Sequence, residues 1–382
     1  MPEAVEVRTP GQLIRKLLEE RGWSQKVLAV VMNISEPALN LVIADRRRVD
    51  ADLAILLGQV FEVPAEQFLD LQKAYDLARA RLTTQANPNL SRRAALFGAL
   101  PIGDMIKRGW IKAKSIKDIA AVEEGLAGFF GVSSADQIDL LPHAPKKTDA
   151  LAPTTTAQLA WLYRVKRIAA EQLVATKYTR AGLLAALDRL SLLLGAPEEA
   201  RHVPRILAEA GVRLVIVETL PKAKNDGVCL WLDADSPVVG LSFRHDRIDS
   251  FWFVLRHELE HVLRGDGLEH PPVIDSDIEA GAAALPEQER VANEAASDFC
   301  VPKKEMDSFI LRKQPFFSER DILGFAARLN LHPGLVAGQL RHKLNRWDLF
   351  SKHLSKVRFA VTPGATVDGW GDVAPITEGG AR

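Results

Sequence analysis

Residues 238–261 read VVGLSFRHDRIDSFWFVLRHELEH: a β-branched run, a polar turn, then a strongly apolar stretch with two histidines four residues apart. A helix sets residues four apart one above the other on a single face. His257 and His261 therefore aim two imidazoles at one point, which suits tetrahedral zinc. Glu258 lies one residue on, about 100° around a helix of 3.6 residues per turn. From there a carboxylate reaches a metal-bound water without being a ligand, the position of a general base. The apolar flanks FWFVL and VL predict a buried helix, and buried paired imidazoles need a reason. The plain alternative is two ordinary core or surface histidines, since a five-residue pattern also arises by chance.

A third ligand decides the subclass. A histidine site continuing from His261 needs Gly three residues on and His six residues on; those positions are Arg264 and Gly267, so that reading fails. Downstream, Glu289-Arg290-Val291-Ala292-Asn293 opens a helix expected to run to Cys300 and stop at Pro302. Glu289 offers a carboxylate, Ala292 leaves room for close helix approach, and the Asn293 amide is placed to hydrogen-bond a ligand histidine or Glu289 from outside the metal's ligand set. His270, in the Pro-rich LEHPPV, is the competing ligand. Glu287 and Glu294 read as solvated helix charges, and Cys300, three turns beyond Glu289, as a core thiol.

HELEH followed by ExxAN and a helix ending in CVP resembles the ImmA/IrrE family of zinc metallopeptidases, over roughly residues 200–345. The resemblance implies zinc held by His257, His261 and Glu289, with Glu258 as catalytic base, a gluzincin-like arrangement. It implies limited proteolysis of a regulatory protein, often a repressor. Ala295 in place of the usual Phe, and Cys300-Val301 before Pro302, depart from the family pattern away from the metal chemistry. No motif fixes an oxyanion stabiliser; His332, His342 and His353 are the candidates, each also readable as a surface or helix-end histidine. Three strands precede the motif helix: RLVIVE, GVCLWLD and VVGLSF, rich in β-branched residues and separated by turn formers. VVGLSF is the candidate edge for an extended substrate, an interior strand being the alternative.

Working back to the N-terminus, Ser24 and Ser35 can cap two short helices, through Met32 and Ala44, with Pro37 in a first turn where a missing N–H costs least. Asp50 and Pro64 open two more. This spacing is that of a helix-turn-helix. Residues 10–82 resemble the HigA-type antitoxin group of the Xre-like DNA-binding family. That implies a recognition helix over 35–44 with Glu36, Asn40 and Leu41 on its outer face, Gln25 and Lys26 approaching DNA from the preceding helix, and Arg46, Arg47 and Arg48 on phosphates. Leu39, Val42 and Ile43 are expected in the core. Against DNA binding, the ten basic residues between Pro10 and Leu82 are matched by ten acidic ones, Glu36 would repel a phosphate, and Asp45 stands where Gly is often found. A protein-binding or dimerising module is the alternative.

Lys plus Arg equals Asp plus Glu at 49 each in 382 residues, so net charge lends no support to nonspecific nucleic-acid binding. Two cysteines are too few for a disulfide framework, and no signal peptide or apolar run of membrane-spanning length is present, which together predict a cytoplasmic protein without a membrane partner. The expected fold is α+β and mainly helical: a five-helix helix-turn-helix domain (10–82), a helical region of unknown role (83–200), a zincin-like peptidase domain with a small three-stranded sheet (201–357), and a loosely ordered tail (358–382). The expected function is an antitoxin-like transcriptional regulator with a zinc metallopeptidase domain. The expected partners are an inverted repeat in its own promoter, bound through the N-terminal domain, a second copy of the chain in a homodimer, and a repressor or toxin as substrate or partner. The alternative is a DNA-binding antitoxin or repressor whose peptidase-like domain only binds a partner or senses a signal.

Overall fold

Side-chain caps delimit the N-terminal helices. Thr9 accepts from the Gln12 amide at the start of α1 (Pro10–Arg21), Ser24 from Val27 at α2 (Gln25–Val31), Ser35 from Ala38 at α3 (Glu36–Ile43), and Asp50 from Leu53 at α4 (Ala51–Phe61). Each satisfies a backbone N–H that the helix itself leaves orphaned. Pro64 precedes α5 (Ala65–Thr83). Ile14, Leu28, Leu39, Leu57 and Phe68, one from each helix, are fully buried and form one core. Asp45, at φ 56° just beyond α3, ties the turn back to α1: its carboxylate accepts from the Thr9 hydroxyl at 2.6 Å and the Gly11 amide at 2.8 Å. Asp therefore has a structural task where the sequence suggested only a missing Gly, because its side chain tolerates the left-handed backbone and supplies acceptors.

The structure is a computed structural model and describes residues 7–84, 90–138, 155–268, 274–276 and 286–376. The chain folds as two compact units, Met1–Ser91 and Arg92–Arg382. In chain order from Leu90 run α6 (Leu90–Ala99), α7 (Ile102–Lys107), α8 (Ile119–Phe130), α9 (Thr156–Glu171), α10 (Arg180–Ser191) and α11 (Val203–Glu209). Then come β1 (Arg213–Val217), β2 (Asn225–Trp231), β3 (Pro237–Leu241), α12 (Ile248–Arg264) and β4 (Ile274–Ser276). The remainder is α13 (Glu287–Cys300), α14 (Lys303–Lys313), α15 (Glu319–Arg328), α16 (Pro333–Leu344), α17 (Arg358–Val361) and β5 (Thr366–Asp368). No single described helix is long and apolar enough to cross a membrane.

Among the described residues the sheet has five strands in the order β4-β2-β3-β1-β5, not the three expected. β1 runs parallel to β3 and β5, while β2 is antiparallel to β3 and β4. Alternate residues serve two cores: Leu214, Ile216, Cys229 and Leu241 face the side packed by α12, and Val215, Val217, Val228 and Val238 the side packed by α9. Burial on both faces explains why RLVIV is a continuous apolar run. β3, the candidate edge, is the central strand; β4 and β5 are the edges. The region before residue 200 contributes a covering layer: the Trp161 indole on α9 donates to Val217 O at 2.8 Å, and a Cβ at Gly240 would stand 2.7 Å from Val165.

The expected loose tail is instead part of the fold as far as Ile376, because β5 completes the sheet beside β1. Asp368 on β5 is fully buried and accepts from Trp110 Nε1 at 2.8 Å, Arg108 Nη2 at 3.1 Å, Arg164 Nε at 3.0 Å and the Ala374 amide at 3.2 Å. A second Arg164 nitrogen, Nη2, also donates to it. Burial draws the Arg164 guanidinium below its ordinary range, while Asp368 pulls it back up.

Candidate metal centre

α12 stops where Gly265 takes φ 72° and its amide turns back to His261 O and Val262 O, a left-handed cap that costs a glycine little. His257, Glu258 and His261 thus fall in the last three turns of the helix and are 0%, 0% and 2% exposed. α13 packs along α12, with Ala292 and Ala296 wholly buried; small side chains permit that approach. It brings Glu289, also fully buried, to the two histidines. His257 Nε2 and His261 Nε2 are 3.0 Å apart, and Glu289 Oε2 is 3.3 Å from the first and 3.6 Å from the second. One ligand atom from each residue lies within 4.8 Å of the others.

The donor set fits a divalent cation. Neither oxygen of the Glu289 carboxylate takes part in a hydrogen bond among the described residues, and burying an ionised carboxylate without a cation or donors is expensive. Two imidazole nitrogens and one carboxylate oxygen are the ligand types that zinc takes in open, three-ligand sites. Glu258 sits to one side, against β2: a Cβ on Gly227 would lie 2.2 Å from its Oε1. The bare backbone of Gly227 gives that carboxylate its place.

Asp266 was not singled out in the sequence. Its Oδ2 lies 2.8 Å from His261 Nδ1. A carboxylate there accepts the Nδ1 proton and leaves Nε2 with its lone pair facing Glu289 and His257. The only local signal was an acidic residue directly after the glycine that ends the motif helix. Asn293, expected to bond a ligand histidine or Glu289, does neither; its Oδ1 is buried without a hydrogen-bond partner among the described residues. It lies one turn beyond Glu289, and the amide oxygen is not brought to a donor.

Glu287 is exposed and Glu294 pairs with Arg290 at 3.0 Å, both on solvent-facing turns. His270 lies outside the described residues. Cys300 is buried in the core, and burial pushes its thiol up. Of the three candidate histidines, His332 caps α16 through Nδ1, and His353 lies 3.4 Å from Glu319. His342 shares a cavity of about 90 Å³ with Phe253 and Ser297, and Phe253 is one turn before His257 on α12.

In the N-terminal unit Glu36, Asn40 and Leu41 are exposed on α3, while Leu39, Val42 and Ile43 are buried. Lys26, Arg46 and Arg47 are exposed and Gln25 is half-buried. Arg48 is also exposed, but its guanidinium reaches Asp76 on α5 at 2.5 Å.

The helix-turn-helix family profile matches residues 14–68. The virulence-associated protein I of Dichelobacter nodosus is 32% identical over 78 residues, 20% of this chain and 72% of that protein. Two solved structures from Pseudomonas aeruginosa are each 31% identical over 22% of this chain, at a TM-score of 0.20. One is PA4674 in complex with its operator DNA, 89% covered, and the other the antitoxin HigA with the higBA promoter, 97% covered.

Proposed function

Starting from a chain that belongs, through residues 14–68, to the helix-turn-helix family, we propose a DNA-binding, antitoxin-like regulator fused to a zinc metallopeptidase that cuts a regulatory protein. For the DNA-binding part, the support is the family itself together with the exposed outer face of α3 and the exposed Arg46 and Arg47 beyond it. Asn40 is of the type that reads base edges, and the arginines of the type that grips phosphates.

For the peptidase, one observation carries the reading: His257, His261 and Glu289 converge in a buried cluster, with Glu258 on the same helix. Zinc, when bound there, supplies a Lewis acid and lowers the pKa of a coordinated water. His257 and His261 would hold it through Nε2, with Glu289 as the third ligand, and Asp266, 2.8 Å from Nδ1 of His261, would keep the proton on that nitrogen. Glu258 is placed to take a proton from the attacking water and to return one to the leaving amine. The alternative, a peptidase-like domain that only binds a partner, gives Glu258 no task; a purely structural metal site would not need a carboxylate buried at that position.

Two measurements test this. The purified chain is expected to hold one zinc ion, lost in His261→Ala. Glu258→Gln keeps both histidines and removes only the proton acceptor, so zinc content and DNA binding should persist while cleavage of the cognate partner falls by about 10²–10⁴-fold. A Gln variant that regulates in cells as well as wild type would transfer the proposal to the binding-platform alternative.

A further inference from the structure

The last turn of α12 and the turn after it are held from the side by two aromatic residues outside the cluster. The Trp231 indole, at the end of β2, donates to the backbone oxygen of Asp266 at 3.0 Å. The Tyr178 hydroxyl donates to Val262 O at 3.3 Å. The two rings meet edge to face, centroids 5.3 Å apart at 85°, a favoured geometry that fixes each against the other. The Asp266 amide in turn donates to His261 O at 3.0 Å. Asp266 is thus gripped at its N–H, its C=O and its carboxylate, the last on His261.

We infer that Trp231 and Tyr178 form a strap that positions the metal ligand His261 through Asp266. The inference rests on the metal-centre reading above. At the end of a helix backbone bonds fray and the following turn is otherwise free to move. An Asp266 that wanders by an ångström no longer aligns the imidazole, and Nε2 loses its fixed direction. Anchoring the turn to β2 converts a surface turn into a support as rigid as the sheet. Both aromatics are positioning residues; neither reaches the cluster.

The test is zinc affinity of the full-length chain, by competition with a chromophoric chelator, together with the visible absorption of the cobalt-loaded chain. Asp266→Asn is expected to weaken zinc binding by roughly 10–100-fold, the usual range for a residue that orients a ligand histidine. Trp231→Phe keeps an aromatic ring against Tyr178 and removes the donor. It should weaken binding by at least about threefold, but by no more than Asp266→Asn, and shift the cobalt bands in the same direction. Because the strap acts through Asp266, the double variant should bind zinc no more weakly than Asp266→Asn alone. Should Trp231→Phe fail to fold, Tyr178→Phe, which loses only the hydroxyl on Val262 O, repeats the affinity and cobalt measurements, while the comparison with Asp266→Asn is made with Trp231→Leu, which also lacks the indole donor. Wild-type affinity and an unshifted cobalt spectrum in the folded aromatic variant, or effects that add in full to Asp266→Asn, would overturn the strap alone. A wild-type chain that binds no zinc would overturn the metal centre and the strap with it.

Discussion

At the scale of the residue, Gly227 shows how much a missing side chain can determine. A Cβ there would stand 2.2 Å from Glu258 Oε1 and 2.9 Å from the carboxyl carbon, so only glycine lets the carboxylate rest against β2. The obstructed group is the end of a flexible side chain, so Gly227→Ala should fold and simply displace Glu258. The expected outcome is unchanged zinc content with cleavage reduced roughly 100-fold, the penalty of moving a catalytic group by about an ångström. Metal analysis and a cleavage assay on the same preparation check it, and full activity in the alanine variant would mean that Glu258 does not work from this position.

At the scale of the element, α3 separates two kinds of contact. Asn40 and Leu41 stand on its exposed face, and Arg46 and Arg47 follow its end. Asn40→Ala should relax sequence preference with little change in salt dependence. Arg47→Ala should weaken binding to every sequence and reduce the salt slope by about one. Arg48→Ala should matter less than Arg47→Ala, because the Arg48 guanidinium already pairs with Asp76. Fluorescence anisotropy of the full chain on promoter and scrambled duplexes, at several salt concentrations, separates these outcomes. Equal losses at Arg47 and Arg48 would show that the ion pair opens on binding, as exposed pairs worth under about 1 kcal/mol can.

At the scale of the whole molecule, residues far apart in the chain make one buried cluster around Asp368. Arg108, Trp110 and Arg164 come from the helical region before the sheet, and Asp368 from the far end of the chain. Removing the charge leaves Arg164, 3% exposed, without its counterion. Asp368→Asn should therefore cost about 3–5 kcal/mol of the larger unit's stability, as breaking buried pairs does. Chemical denaturation measures this directly, and a loss below about 1 kcal/mol would place the cluster among the incidental contacts.

Local patterns settled much of this protein in advance. Ser24, Ser35 and Asp50 are caps whose chemistry is confined to three residues, and α2, α3 and α4 begin at the positions they imply. His257 and His261 share a face because a helical period of 3.6 leaves no alternative, and the apolar runs of β1, β2 and β3 declare themselves by composition. Tertiary structure decided the rest. β4 and β5 are three residues each, too short to show a period, and they are strands only because β2 and β1 offer them hydrogen bonds. That same pairing placed β3 at the centre and drew the C-terminal segment into the fold. Glu289 stands 28 positions beyond His261 in sequence, and its approach to 3.6 Å depends on how α13 lies along α12. Asp266 and Trp231 carry no motif at all. Asp266 left as its local signal only an acidic residue after a glycine, and its role follows from a left-handed turn that folds the carboxylate back on its own helix; Trp231 stands 35 positions away, on a strand that ends beside that turn, and no window of neighbouring residues holds both.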